Sequence, residues 1–161
     1  MEEMQLARKR RTAAGFDEIE SLFRVEYAPM VRLAYTLIGN NAEAEEIVQV
    51  SFAEVHRRRD EIDSLGGYLR TTVVLRCRSL LRRRRVMQRH PPEPPADLPA
   101  DDVVLWDVLN ELSEDQRTAV VLRYYGGYRA SEIARITETP AATVRSHLKR
   151  GLARLRKELE R

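Results

Sequence analysis

"TETPAATVRSHLKR", Thr137 to Arg150, begins as a polar turn and continues as a helix. Thr139 is placed to cap that helix, and Pro140 suits its first position, where a missing amide loses no hydrogen bond. Val144 and Leu148, four residues apart, share one face and should turn inward onto Ile133 and Ala134 of the preceding "ASEIARI". The outer face carries Thr143, Arg145, Ser146, Lys149 and Arg150. Two short helices joined by a turn of three to four residues describe a helix-turn-helix, whose second helix enters the DNA major groove. Arginine can make a bidentate contact with guanine, and serine or threonine can serve several base edges. Arg150, Arg154 and Arg156 are better set for phosphates, which position a protein without specifying sequence. An αα-hairpin with a solvated basic face is the plainer alternative for this segment taken alone.

Charge elsewhere favours a polyanion partner. The net charge is only +3, but it is unevenly spread: +4 over residues 1–90, −6 over 91–142 and +5 over 143–161. A second basic run, Arg82-Arg83-Arg84-Arg85, stands apart from the C-terminal helix. Separate basic blocks on one small chain point to nucleic acid. The 161 residues, 43% hydrophobic with few aromatics and glycines, suit one or two small helical domains with a core. No apolar run reaches membrane-spanning length. The start, MEEMQLARKRR, lacks the apolar segment of a signal peptide. One cysteine, Cys77, allows no disulfide within the chain and reads as a small buried hydrophobe.

"RHPPEPPADLPADD", Arg89 to Asp102, divides the chain, with five of the seven prolines and four acids. Proline lacks the amide donor and turns its predecessor away from helix, so residues 89–102 read as an extended acidic linker. Before it, Phe16, Ile19, Leu22 and Phe23 repeat at helical spacing, then Met30 to Ile38, with a kink or fresh start expected at Pro29. Asn40 and Glu43 form a capping-box pattern ahead of the stripe Ile47, Val48, Ser51, Phe52 and Val55. Ser64 should cap a third helix from Leu65 into the arginine run, its first turn weakened by Gly66 and Gly67. After the linker, a short helix is expected from Val103 to Leu112, then one capped by Ser113 with Gln116 and ended by "YYGGY".

Four stretches occur in order: "AEAEEIVQVSF", "GYLRTTVVLRCRSLLRRRR", "LNELSEDQRTAVVLRYYGGYRASEIARI" and "PAATVRSHLKRGLARLRKEL". Together they resemble regions 2 and 4 of extracytoplasmic-function (ECF) sigma factors of the sigma-70 family, particularly the short SigE-type members. The resemblance spans Phe16 to Leu159 and implies an all-α protein of two small helical domains. Residues 1–15 are then a disordered basic arm, 16–88 a region 2-like bundle, 89–102 the linker and 103–161 a region 4-like helix-turn-helix domain.

The resemblance also implies a function. Region 2 binds the clamp helices of core RNA polymerase and opens the promoter −10 element. Region 4 reads the −35 element and touches the polymerase flap. Glu45, Glu46 and Gln49 would meet polymerase. Arg70, Arg76, Arg78, Arg82 and Arg83 would track phosphates near the −10 element, and Tyr68 could stack on an unpaired base or else lie partly in the core. Thr143, Arg145, Ser146, Lys149, Arg150 and Arg154 would meet the −35 element. Such proteins are often held inactive by an anti-sigma factor. The chain carries no C-terminal extension, so self-inhibition by an added domain is not expected.

Several residues depart from the family pattern. Val50 stands for an acid, His56 for an aromatic, Leu75 for an asparagine, Ala142 for a glycine and His147 for an arginine. Glu138 stands where glycine suits a positive φ, so it should be strained by about 1 kcal/mol or force another turn. A stand-alone, dimeric helix-turn-helix regulator is the alternative reading. An enzyme is not expected: His56, His90 and His147 are scattered, and no nucleophile–base pair, phosphate loop, metal or cofactor site is suggested.

Overall fold

The computed structural model describes residues 1–87 and 107–160, and every regular element among them is helical. The linker 89–102 and the start of the helix expected from Val103 lie outside the described residues.

Helix α1 spans Glu2–Ile38, α2 Asn41–Arg58 and α3 Leu65–Val86, with a 3-10 turn at Arg59–Glu61. The disordered arm expected over residues 1–15 is instead the start of α1. The physical reason is composition: Met, Gln, Leu, Ala, Lys and Arg are strong helix formers, and no breaker interrupts them before Gly15. Nor does Pro29 restart the helix, which runs through it. Pro29 is exposed, as is Val25 four residues before it, so the carbonyl left without an amide partner can turn to water. Gly39, at φ 70°, ends α1 and returns its amide to the Tyr35 carbonyl at 2.7 Å.

Asn40 caps α2 by accepting from the Glu43 amide at 2.9 Å. The Glu43 carboxylate pairs with Arg84 of α3, where the capping-box pattern had it returning to Asn40. Arg84 also donates to the Ile38 carbonyl at 2.6 Å, so one guanidinium ties together the end of α1, the start of α2 and α3. Ser64 caps α3 through the Gly67 amide at 3.3 Å, as its sequence position predicts. Leu33, Leu37, Val48, Val55, Leu69 and Val73 are almost fully buried between the three helices. Each such side chain contributes about 1.5–3 kcal/mol of burial.

The second unit holds α4 (Glu114–Val120), which widens into a π-helical turn at Val121–Tyr125, then α5 (Ala130–Thr137) and α6 (Ala141–Leu159). The Ser113–Gln116 capping box forms in both directions. Leu122, Ile133, Ile136 and Val144 build the core. Gly151 lets α6 close on α4: an added Cβ would sit 2.9 Å from Val120 Cγ2.

The two units touch. Arg78 of α3 donates to the Thr137 carbonyl at 2.8 Å, and Arg85 pairs with Glu114. A cleft of about 190 Å³ lies between them, lined by Glu26, Pro29 and Arg70 on one side and Tyr125, Gly126 and Tyr128 on the other.

Candidate nucleic-acid interface

Helices α5 and α6 form the helix-turn-helix foreseen from the sequence. Val144 is 1% exposed, Gly151 is buried and Leu148 packs against the same core, which fixes which face of α6 looks outward. Thr143, Arg145, Ser146, Lys149, Arg150 and Arg154 are all exposed on the opposite face. Ser146 returns its hydroxyl to the Ala142 carbonyl at 3.1 Å. Arg154 is engaged with Glu111 at 3.1 Å, a solvent-exposed pair of small energetic weight.

Two local details of the turn differ in interest. Thr139 does not cap α6. Its hydroxyl donates to the Thr137 carbonyl at 3.1 Å, and Pro140 occupies the cap position. Its hydroxyl is drawn to a turn carbonyl two residues back, a local bond that competes with capping. Glu138 adopts φ 51°, ψ 38°, and is the only non-glycine residue of positive φ among those described. The turn geometry is kept and the strain is borne by Glu138.

The six residues expected near the −10 element do not form one patch. Arg82 is exposed on the outward line of α3, with Leu75 and Ser79. Arg70 binds Glu26 of α1 at 2.5 Å, and that hydrogen bond raises the guanidinium pKa further. Arg78 is held by the Thr137 carbonyl at the helix-turn-helix turn. Arg76 and Arg83 flank that line, and with Ser79 they line a groove of about 230 Å³ together with Glu46, Val50 and Leu80. Tyr68, partly buried, donates its hydroxyl to Glu54 at 2.7 Å and accepts from Arg58 at 2.7 Å. Glu54 also receives Arg76 at 2.6 Å. The hydrogen bond from Tyr68, then that from Arg76, hold the Glu54 carboxyl below its ordinary range.

On α2, Glu46 and Gln49 are exposed and Glu45 half-exposed. Asn41 donates to Glu45 at 3.1 Å, and Gln49 donates to the Tyr27 hydroxyl at 3.4 Å. Tyr27 stacks on Phe23, 4.6 Å between centroids, and Phe23 is 44% exposed. An aromatic patch therefore adjoins the acidic face, where sequence spacing alone marked Phe23 only as part of an apolar repeat. The roles of Glu26, Glu43 and Glu54 as partners for the arginines were also missed. Only Glu54 left a signal, standing four residues before Arg58. Cys77 is buried, and burial pushes its thiol pKa up to about 12.

Comparison with known proteins agrees with this layout. The sigma-70 region 2 family model matches residues 22–86 and the sigma-70 region 4 model residues 102–155. The RNA polymerase sigma-E factor of Streptomyces coelicolor is 32% identical over 153 residues, covering 88% of this chain and 86% of that protein. The chain belongs to the ECF sigma factors of the sigma-70 family. The ECF sigma factor SigW of Bacillus subtilis is 28% identical, over 80% of this chain and 81% of its own. The sigma factor RpoE of Bartonella quintana, solved in complex with the anti-sigma factor NepR, shares the fold at a TM-score of 0.73 and 22% identity, over 89% of this chain and 97% of that one. As a sigma factor the protein is a transcription initiation factor that binds core RNA polymerase and directs it to promoters. No helix among the described residues is long and apolar enough to cross a membrane.

Proposed function

We propose the following division of roles within this sigma factor. Helix α6 reads the −35 element through Thr143, Arg145, Ser146 and Lys149, while Arg150 and Arg154 hold the flanking phosphates. The observation that carries this is the outward polar face of α6, left free by the burial of Val144 and Gly151. Glu45, Glu46 and Gln49, with the neighbouring Phe23–Tyr27 patch, form the surface for core polymerase. Tyr68 and Arg82 meet the −10 region. Arg70 and Arg78 join them only after the helix-turn-helix unit leaves α3, because both now face that unit. Arg76 and Arg83 share a groove with Glu46, which favours a place at the edge between DNA and polymerase.

The protein acts in the cytoplasm, supplies no catalytic group and needs no cofactor. An anti-sigma factor would inhibit it by covering these same faces. The test is gel filtration of the protein with bacterial core RNA polymerase. Near-stoichiometric co-elution is expected, and charge reversal of Glu45 and Glu46 should abolish it. No co-elution by a well-folded protein, together with tight binding to a palindromic duplex by the free chain, would favour the stand-alone regulator.

A further inference from the structure

Glu54 is 22% exposed and belongs to none of the surfaces assigned above. It nevertheless joins three other side chains, on two helices. One carboxylate oxygen accepts from the Tyr68 hydroxyl at 2.7 Å, the other from Arg76 at 2.6 Å. Arg58, one turn further along α2, donates to the Tyr68 oxygen at 2.7 Å and lies 5.4 Å from the ring centroid. The direction of each bond follows from the chemistry. A guanidinium can only donate, so the single phenolic proton must point to Glu54. The hydroxyl is thereby engaged as both donor and acceptor, which holds the ring's orientation.

That anchorage is placed where the backbone offers little. Tyr68 sits in the first turn of α3, directly after Gly66 and Gly67, and glycine weakens a helix by about 1 kcal/mol relative to alanine. On such a turn the ring is held by its packing on the core together with these side-chain bonds. The ring packs against the core and Arg58 lies toward its hydroxyl end, so a base can stack only on the part of the ring left in solvent. The charges of Arg58 and Arg76 offset the carboxylate, so that it need not repel a nearby phosphate.

We propose that Glu54 is a positioning residue for promoter opening: it does not touch DNA but holds the Tyr68 ring in the orientation that receives an unpaired base. This rests on the reading of Tyr68 as a base-stacking residue, and the experiment separates the two.

Holoenzyme is assembled from core polymerase and the full chain. The probe is a promoter fragment that the holoenzyme retains from genomic DNA, carrying 2-aminopurine in its −10 segment. The fluorescence rise reports opening, and retention of the duplex reports closed-complex binding. Tyr68→Ala should slow opening by about ten- to a hundredfold, the range of one lost base stack. Glu54→Ala and Tyr68→Phe should each slow it about three- to tenfold, with closed-complex binding unchanged. The double variant should be little slower than the slower single one, since both remove the Tyr68–Glu54 bond. Glu54→Gln, whose amide oxygen can still accept the phenolic proton, should recover most of the rate. Normal opening by both Glu54→Ala and Tyr68→Phe, with Tyr68→Ala impaired, would overturn the inference and leave the stacking role intact. Normal opening by Tyr68→Ala would overturn both. Should Glu54→Ala fail to fold, Glu54→Leu, of similar volume, takes its place beside Tyr68→Phe, which removes the Arg58 bond along with the Glu54 bond: slowed opening by both upholds the inference and normal opening by Glu54→Leu overturns it.

Discussion

The two basic helices of this protein use arginine in opposite ways. On α6, Arg145 and Arg150 stand in solvent, and the pair of Arg154 with Glu111 is exposed on both sides. On α3, Arg70, Arg76, Arg78, Arg84 and Arg85 are each bonded to another element of the fold. Both helices look basic in sequence. The first is a surface kept ready for a ligand, and the second is in large part a strap that holds helices together. Count of charge therefore does not measure DNA-binding capacity; what each charge already touches does.

The largest effect that separates the two helices should come from Arg145→Ala. A bidentate arginine–base contact is worth about 1–3 kcal/mol of discrimination. Holoenzyme carrying this variant should lose roughly tenfold to a hundredfold in affinity for its promoter and relax its preference at one −35 position. Thermal stability should stay within about 0.5 kcal/mol, as for other surface changes. Competition binding against a randomised −35 library reads the first, and a melting curve the second. A stability loss without a change in promoter preference would place Arg145 with the straps.

Arg84→Ala should give the reverse pattern. Its guanidinium side chain is 16% exposed, pairs with Glu43 and donates to the Ile38 carbonyl. Hydrogen bonds to charged groups contribute about 1.5–3 kcal/mol each, and a partner left unpaired adds its own penalty. A loss of about 2 kcal/mol in denaturant unfolding is expected, with −35 preference untouched. Arg84→Lys should recover only part, because an ammonium lacks the planar fork that reaches two acceptors together.

This contrast explains what could be read in advance. The helix-turn-helix was legible because its outward face is determined locally: Val144 and Leu148 stand four apart on one face, and the residues opposite them face solvent. The caps at Asn40, Ser64 and Ser113 were legible for the same reason, since each involves residues three apart. The engagement of Arg70 and Arg78 was not, because their partners stand 44 and 59 residues away. A long-range pair leaves no periodicity to detect. The arm and the fresh start allowed for at Pro29 failed differently. There, strong helix formers on either side outweighed features that ordinarily interrupt a helix.

A smaller effect should come from Glu138→Gly. An L-residue in the left-handed region costs about 1–2 kcal/mol, while glycine gives back part of that through its freer unfolded chain. Up to about 1 kcal/mol of net stabilisation is expected from thermal unfolding. Because the turn sits against α3 through the Thr137 carbonyl, its repair should leave DNA preference unchanged. Destabilisation instead would mean that the Glu138 side chain contributes more than its backbone loses.

The smallest energetic change bears most directly on how the two helices are related. Arg85 and Glu114 pair across the units, the arginine side chain 65% exposed and the glutamate 19%, so solvent screens much of the attraction and the pair is worth about 1 kcal/mol. Glu114→Arg should barely alter global stability. It places like charges together at the seam and should favour separation of the helix-turn-helix unit from α3, which Arg85→Glu in the same chain should reverse. Fluorescence transfer between dyes on α2 and α6 would read the separation. Rising salt should weaken both effects, because exposed charges are screened within about 10 Å at 0.1 M. Separation would also release Arg78 from the Thr137 carbonyl. The opened free chain should then bind single-stranded −10 DNA more tightly than the parent while its affinity for −35 duplex, set by α6, stays the same. A gain confined to the −10 strand would mean that the strap on α3 is also a mask. An equal gain on both DNAs would reflect only the two added positive charges, since Glu114→Arg replaces an acid with a base. No change on either would mean that the arginines of α3 serve the fold alone.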